Sequence, residues 1–111
     1  MPGGIVTLLT DFGTEDGYVG AMKGVVLSYF PDASIVDISH CIPRFNLKAA
    51  SVVLEAAFGY FPRDTVHVFV VDPGVGSTRR HLFVRAADHI FIGPDNGVLG
   101  RIAFLNKGVC Y

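Results

Sequence analysis

What the chain lacks narrows its class. Nine Lys and Arg stand against ten Asp and Glu, so the formal net charge is only −1. Such a balance leaves no positive surplus for counterion release from nucleic acid or for an anionic membrane surface. No apolar run approaches the ~20 residues of a spanning helix. The opening Met1-Pro2-Gly3-Gly4 carries neither the charged region nor the apolar core of a secretory leader, so a cytoplasmic protein is expected. Cysteine is scarce: Cys41 and Cys110 stand far apart, without metal or redox spacing. These numbers exclude a disulfide scaffold, disorder, collagen and coiled coil. No linker, repeat or low-complexity run interrupts the chain. What is present is apolar: 111 residues, 50% hydrophobic, with a mean hydropathy of +0.46. That is one domain with enough core to fold and enough apolar surface to pack against something else.

The apolar segments alternate in kind. Ile5–Thr10 is a short continuous apolar run, the pattern of a strand buried on both faces of a parallel sheet. After a polar loop over residues 11–16, Val19, Met22, Val26, Tyr29 and Phe30 fall on one helical face, and Pro31 ends that helix. Residues 34–38 read as a second strand. Asn46 caps a second helix with the apolar stripe Ala49, Val53, Ala56 and Tyr60, closed by Pro62. Residues 65–71 are the most β-branched stretch and form the third strand. Two short strands, 82–85 and 90–92, form a hairpin or edge pair around Ala87-Asp88, and residues 98–105 form a last short helix. The order predicts a three-layer α/β/α, Rossmann-like domain with a mostly parallel sheet and right-handed crossovers.

In such a sheet, ligands bind beyond the carboxyl ends of the strands. The polar loops gather there: 11–16, Ser39-His40, 72–80, and Gly93-Pro94-Asp95-Asn96-Gly97. Asp11 ends the first strand before a glycine turn, where a carboxylate can accept two hydrogen bonds from a vicinal diol such as a ribose; a turn or capping role is the alternative. Asp16 is either a ligand residue or the N-cap of the first helix. Asp72 and Arg79 bracket a loop containing Pro73, Gly74 and Gly76, which suits either a ligand cradle or a structural ion pair. Phe45 can stack on a flat ligand or simply pack on the helix. Asp95-Asn96-Gly97 reads as a turn, His67 and His89 as core or edge histidines, and His40 as polar surface within reach of the site. Gly74-Val75-Gly76 lacks the third glycine of a dinucleotide fingerprint, and no Walker A, HExxH or zinc spacing occurs. Asp11-Phe12-Gly13 has no kinase catalytic loop to accompany it.

Taken in order, these loops carry a resemblance. Thr10-Asp11-Phe12-Gly13-Thr14 with Tyr18-Val19-Gly20 and Met22-Lys23-Gly24 comes first. Asp37-Ile38-Ser39-His40 follows, then Val70-Val71-Asp72-Pro73-Gly74-Val75-Gly76 with Arg79-Arg80, then Gly93-Pro94-Asp95-Asn96-Gly97. The set resembles the S-adenosyl-L-methionine hydroxide adenosyltransferase family, relatives of fluorinase and chlorinase. The resemblance implies cleavage of S-adenosyl-L-methionine to adenosine and L-methionine by water or hydroxide, with no metal and no cofactor. It implies an N-terminal α/β domain followed by a β-barrel-like C-terminal domain, in a homotrimer whose sites lie between subunits.

By the same resemblance, Asp11 holds the ribose hydroxyls, Asp16 lies near the methionine ammonium, and Phe45 flanks the substrate. Asp72 and Arg79 correspond to two members of an Asp-Arg-His set that handles the nucleophilic water. The histidine of that set matches none of His40, His67, His81 or His89. The halogenating relatives have a different residue at the position of Asp72 and a hydroxyl residue at that of Val75, so hydrolysis is expected over halogenation. Residues 1–111 correspond to the N-terminal domain alone, and the C-terminal domain is lacking. The chain by itself is therefore expected to be inactive. A Rossmann-like methyltransferase and a non-catalytic binding or assembly module are the competing readings.

Overall fold

The computed structural model describes residues 4–71, 81–105 and 109–110. Ile5–Thr10 (β1) lies between two parallel neighbours, Ser34–Ser39 (β2) and Val66–Val70 (β3). His81–Ala86 (β4) and His89–Pro94 (β5) form an antiparallel hairpin whose second strand pairs parallel with β3. The expected hairpin is thus present and extends the sheet beyond β3. A two-residue strand, Val109–Cys110 (β6), pairs with β4 and was not anticipated; the sheet order is β2-β1-β3-β5-β4-β6.

The crossovers explain the layers. Tyr18–Tyr29 (α1) carries the chain from β1 outward to β2, and Leu47–Ala57 (α2) carries it back across β1 to β3. Right-handed connections running in opposite directions place their helices on opposite faces. Gly100–Leu105 (α3) shares the face of α2: Val98, Leu99 and Ile102 join Leu9, Ala50, Leu54, Phe69 and Phe91 in one buried cluster. The expected three-layer α/β/α arrangement is therefore present. α3 is shorter than expected, because Val98 and Leu99 form a turn before it.

Burial along the helices differs from the sequence expectation. On α2 the buried residues are Ala50 and Leu54, with Leu47, Ala49 and Val53 packed partly against the core, whereas Ala56 is exposed and Tyr60 is 91% exposed. For Tyr60 the cause is a change of twist. The chain tightens into a 3-10 turn, Phe58–Tyr60, which departs from the α-helical period and packs Phe58 against His67, His89 and Phe91. On α1, Val19, Met22 and Val26 are half-buried, but Tyr29 and Phe30 are exposed and no residue is fully buried. Beneath α1 the sheet face of Val6, Val66, Val68, Ile90 and Ile92 stays open as a groove of about 660 Å³.

On the α2 face, Thr7 Oγ1 meets His67 Nδ1 at 2.6 Å, and His67 Nε2 meets His89 Nδ1 at 3.0 Å. All three residues are buried, so these are satisfied core histidines, as their positions within strands suggested. Among the described residues no helix is long and apolar enough to cross a membrane.

Candidate functional site

The winding direction reverses between β1 and β3, where Thr10 lies opposite Val70. This is the switch point at which open α/β sheets take ligands. The loops leaving β1 and β2, and the turn after β5, are tied to this edge by specific bonds. Asn96 Nδ2 donates to the Val71 carbonyl at 2.7 Å while its Oδ1 accepts from Val98 N–H, so Asn96 pins the turn after β5 to the end of β3. That is the structural role its turn sequence suggested.

Asp11 follows β1 directly and is half-buried. Its Oδ2 accepts the Phe45 N–H at 2.9 Å, across 34 residues of chain. A carboxylate has about four acceptor positions, and one such bond leaves capacity for a diol. Phe45 holds a left-handed backbone, with φ of 61°, and its ring is half-exposed with the Arg44 guanidinium 5.0 Å from its centroid. Asp11 and Phe45 are therefore brought together, as one side of a site requires. Asp16 is different. It is exposed and its Oδ1 accepts from Tyr18 N–H at 3.1 Å. The N-cap is Gly17, with no side-chain cap of its own, so Asp16 caps α1 from one residue further out. Asp72 and Arg79 lie outside the described residues.

One cluster exceeds what the sequence suggested. His40 is 5% exposed, not a surface residue. Its Nδ1 lies 2.7 Å from Thr10 Oγ1 and its Nε2 lies 2.8 Å from Asp37 Oδ1. Lys23 Nζ on α1 donates to the other Asp37 oxygen at 2.8 Å. Burial alone would raise the Asp37 carboxyl, but the Lys23 and His40 bonds and charges outweigh it and hold it below the ordinary value. The i, i+3 spacing of Asp37 and His40 was legible; their partners on β1 and α1 were not. Among the described residues no group of three or more His, Cys, Asp or Glu is placed to hold a metal ion.

A doubly wound α/β domain with a carboxylate and an aromatic ring at its switch point belongs to the class that grips a small polar ligand beyond the strand ends. Comparison with known proteins is more specific. Residues 6–109 match the model of the SAM hydroxide adenosyltransferase N-terminal domain, and the chain belongs to that family. It is 48% identical over 104 residues to an (R)-S-adenosyl-L-methionine hydrolase from Methanocaldococcus jannaschii, covering 89% of this chain and 39% of that protein. A solved structure of an uncharacterized conserved protein from Thermotoga maritima superposes with a TM-score of 0.89 at 40% identity, covering 94% of this chain and 40% of that one. A fluorinase from Actinopolyspora mzabensis is more distant, 25% identical over 121 residues that cover 88% of this chain and 40% of the fluorinase. The chain thus spans about two fifths of the length of these relatives.

Proposed function

We propose that this chain is the N-terminal part of an enzyme that hydrolyses S-adenosyl-L-methionine to adenosine and L-methionine. The observation that carries this reading is the 48% identity to a curated hydrolase across 89% of the chain, with the fluorinase relative far lower at 25%. The switch-point position of Asp11 and its bond to Phe45 support it, since both residues are candidates for the nucleoside.

In this reading Asp11 receives the ribose hydroxyls, Phe45 flanks the substrate, and Asp16 lies towards the ammonium of the methionine moiety. The reacting carbon is C5′. The oxygen of a water or hydroxide attacks it in line with the C5′–S bond. The new C–O bond forms as the C–S bond breaks, and its electron pair returns to sulfur, turning the sulfonium into a neutral thioether. Arg79 orients the oxygen nucleophile, and Asp72 steadies Arg79 and accepts the proton the water loses. Attack by an anion on a cation disperses charge, so a site that excludes water favours it. No cofactor or metal is needed, and S-adenosyl-L-methionine is the substrate.

The family resemblance further supports a homotrimer for the longer protein, each site being completed by the C-terminal domain of a neighbour. Within this proposal the protein works in the cytoplasm with neither nucleic acid nor membrane as partner, in keeping with its net charge of −1. Chromatography of nucleosides after incubation of the longer protein with S-adenosyl-L-methionine tests the reaction. Adenosine is expected, and its formation should fall at least about 100-fold in Asp72→Ala, the usual scale for loss of an acid–base group. A 5′-halogenated nucleoside formed in chloride or fluoride, or a methylated product, would replace this reading.

A further inference from the structure

The hydrogen bonds around His40 form a closed circuit that includes Asp11. Thr10, immediately before Asp11, is fully buried with its hydroxyl 2.7 Å from His40 Nδ1. Phe12, immediately after Asp11, donates its N–H to the same hydroxyl at 3.2 Å. Gly13 donates its N–H to the His40 carbonyl at 2.7 Å. From His40 the chain runs through buried Ile42 to Phe45, whose N–H returns to Asp11 at 2.9 Å. Residues 10, 12, 13 and 45 are thus each held by His40, by Thr10 or by Asp11 itself.

The donors and acceptors fit together. Asp37 Oδ1 only accepts, so His40 Nε2 donates to it, and Nδ1 shares the Thr10 hydroxyl hydrogen bond at 2.7 Å. The Thr10 oxygen accepts from Phe12. The chain of donors ends on a carboxylate anchored by Lys23, so the far end is fixed to α1. The circuit also sits beside stored strain: Phe45, a non-glycine residue, has φ of 61°. Such a conformation persists only where its surroundings over-determine it.

We propose that His40 is a positioning residue for nucleoside binding: through Thr10 and the backbone on both sides of Asp11, it holds the Asp11 carboxylate and the Phe45 backbone in the geometry that receives a vicinal diol. This rests on the reading of Asp11 given above. His40 does not touch the substrate. It sets where the carboxylate stands.

The test uses the 111-residue chain and two independent readouts. Wild type, Thr10→Val and His40→Gln are first compared by thermal melting, so that a variant that fails to fold is set aside and the other decides. Amide exchange at Phe45 and Gly13 is then followed by NMR without ligand. Binding of adenosine and of 2′,3′-dideoxyadenosine is measured by titration. Exchange at Phe45 should quicken about tenfold in both variants while amides in β1 and β3 are unchanged, the scale of one hydrogen bond. Adenosine should bind about tenfold more weakly, with dideoxyadenosine unaffected. Folded variants with wild-type exchange at Phe45 and an undiminished preference for the diol would overturn the proposal. Asp11→Asn serves as the separate control: if wild type and Asp11→Asn treat the two nucleosides alike, the ribose reading fails, and the exchange data alone decide the circuit.

Discussion

Single residues fix this fold where space or proton affinity leaves no alternative. Gly93 is the plainest case: a Cβ there would stand 2.4 Å from Cζ of Phe69, a fully buried ring. Gly93→Ala must displace that ring, and overpacking of this kind costs about 1–3 kcal/mol or more. In a domain of this size thermal melting should fall by roughly 10 °C, with unchanged ligand specificity. His67 sets a second constraint. Burial, and to a smaller extent the neighbouring His89, lowers its pKa from 6.5 to about 4. Burial lowers His89 as well, against the opposing charges of Asp88 and Asp64. The unfolded chain therefore takes up protons between pH 6.5 and about 4 that the native state refuses. Stability is full above pH 6.5, falls as pH drops through that window, and levels off below it. Urea unfolding at pH 7.5, 5.5 and 4.5 should show this as a slope approaching ~1.4 kcal/mol per pH unit for His67, with His89 adding in the same direction. A flat profile would mean that the pair is more accessible to water than its burial indicates. The histidines were readable as core residues from their strand positions, but the Thr7–His67–His89 chain was not, because it joins residues 60 and 22 positions apart.

Among the elements, strands were legible and helix faces less so, for a physical reason. β1, β2 and β3 fall within one residue of the expected boundaries, since β-branched runs bounded by turns leave little choice. The hairpin turn Ala87-Asp88 also fell where expected, with both residues at positive φ. The parallel pairing of β5 with β3 was missed because strand order is set by contacts between faces that single strands do not display. On α2 nearly every position is apolar, so periodicity alone admits more than one stripe. The polar markers Lys48 and Glu55, not the apolar residues, would have identified the outer face and left Ala50 and Leu54 inside. The difference is measurable. Leu54→Ala empties a fully buried site and should cost about 2–5 kcal/mol. Tyr60→Ala, on the formerly expected stripe but exposed, should stay within about 0.5 kcal/mol of wild type. Comparable losses at both positions would contradict the twist change at Phe58. At the carboxyl edge the sequence put Asp11 and Phe45 in loops that follow strand ends, and the structure joins them by one hydrogen bond. It missed the depth of His40, because Thr10 reaches it only through strand pairing and Lys23 reaches its partner Asp37 only through helix docking.

At the scale of the whole molecule, the layers of the described residues are unequally covered. α2 and α3 seal one face of the sheet, while α1 leaves the apolar groove of Val66, Val68 and Ile92 beneath it. The carboxyl edge presents Asp11 and Phe45 to solvent, with Phe45 48% exposed. In the proposed reading Asp11 and Phe45 grip the ribose, and a second domain supplies the wall that holds a nucleophile in line with C5′ and excludes water. Positioning supplies ~7–11 kcal/mol of many enzymatic barriers, and a site missing one wall forfeits most of it. Under the proposed roles of Asp72 and Arg79, water at this edge would also screen their charges and weaken a hold on the attacking oxygen. The 111-residue chain should therefore release adenosine from S-adenosyl-L-methionine at no more than about a thousandth of the rate of a chimera, in which it replaces the matching part of the Methanocaldococcus jannaschii hydrolase and is followed by the rest of that protein. Both proteins should bind adenosine, the short chain more weakly. In the chimera Asp11→Asn should raise KM more than it lowers kcat, whereas Asp72→Ala should lower kcat, separating grip from chemistry. Equal rates from the two proteins, both abolished by Asp72→Ala, would show that the N-terminal domain holds a complete site and that closure by a second domain is not required.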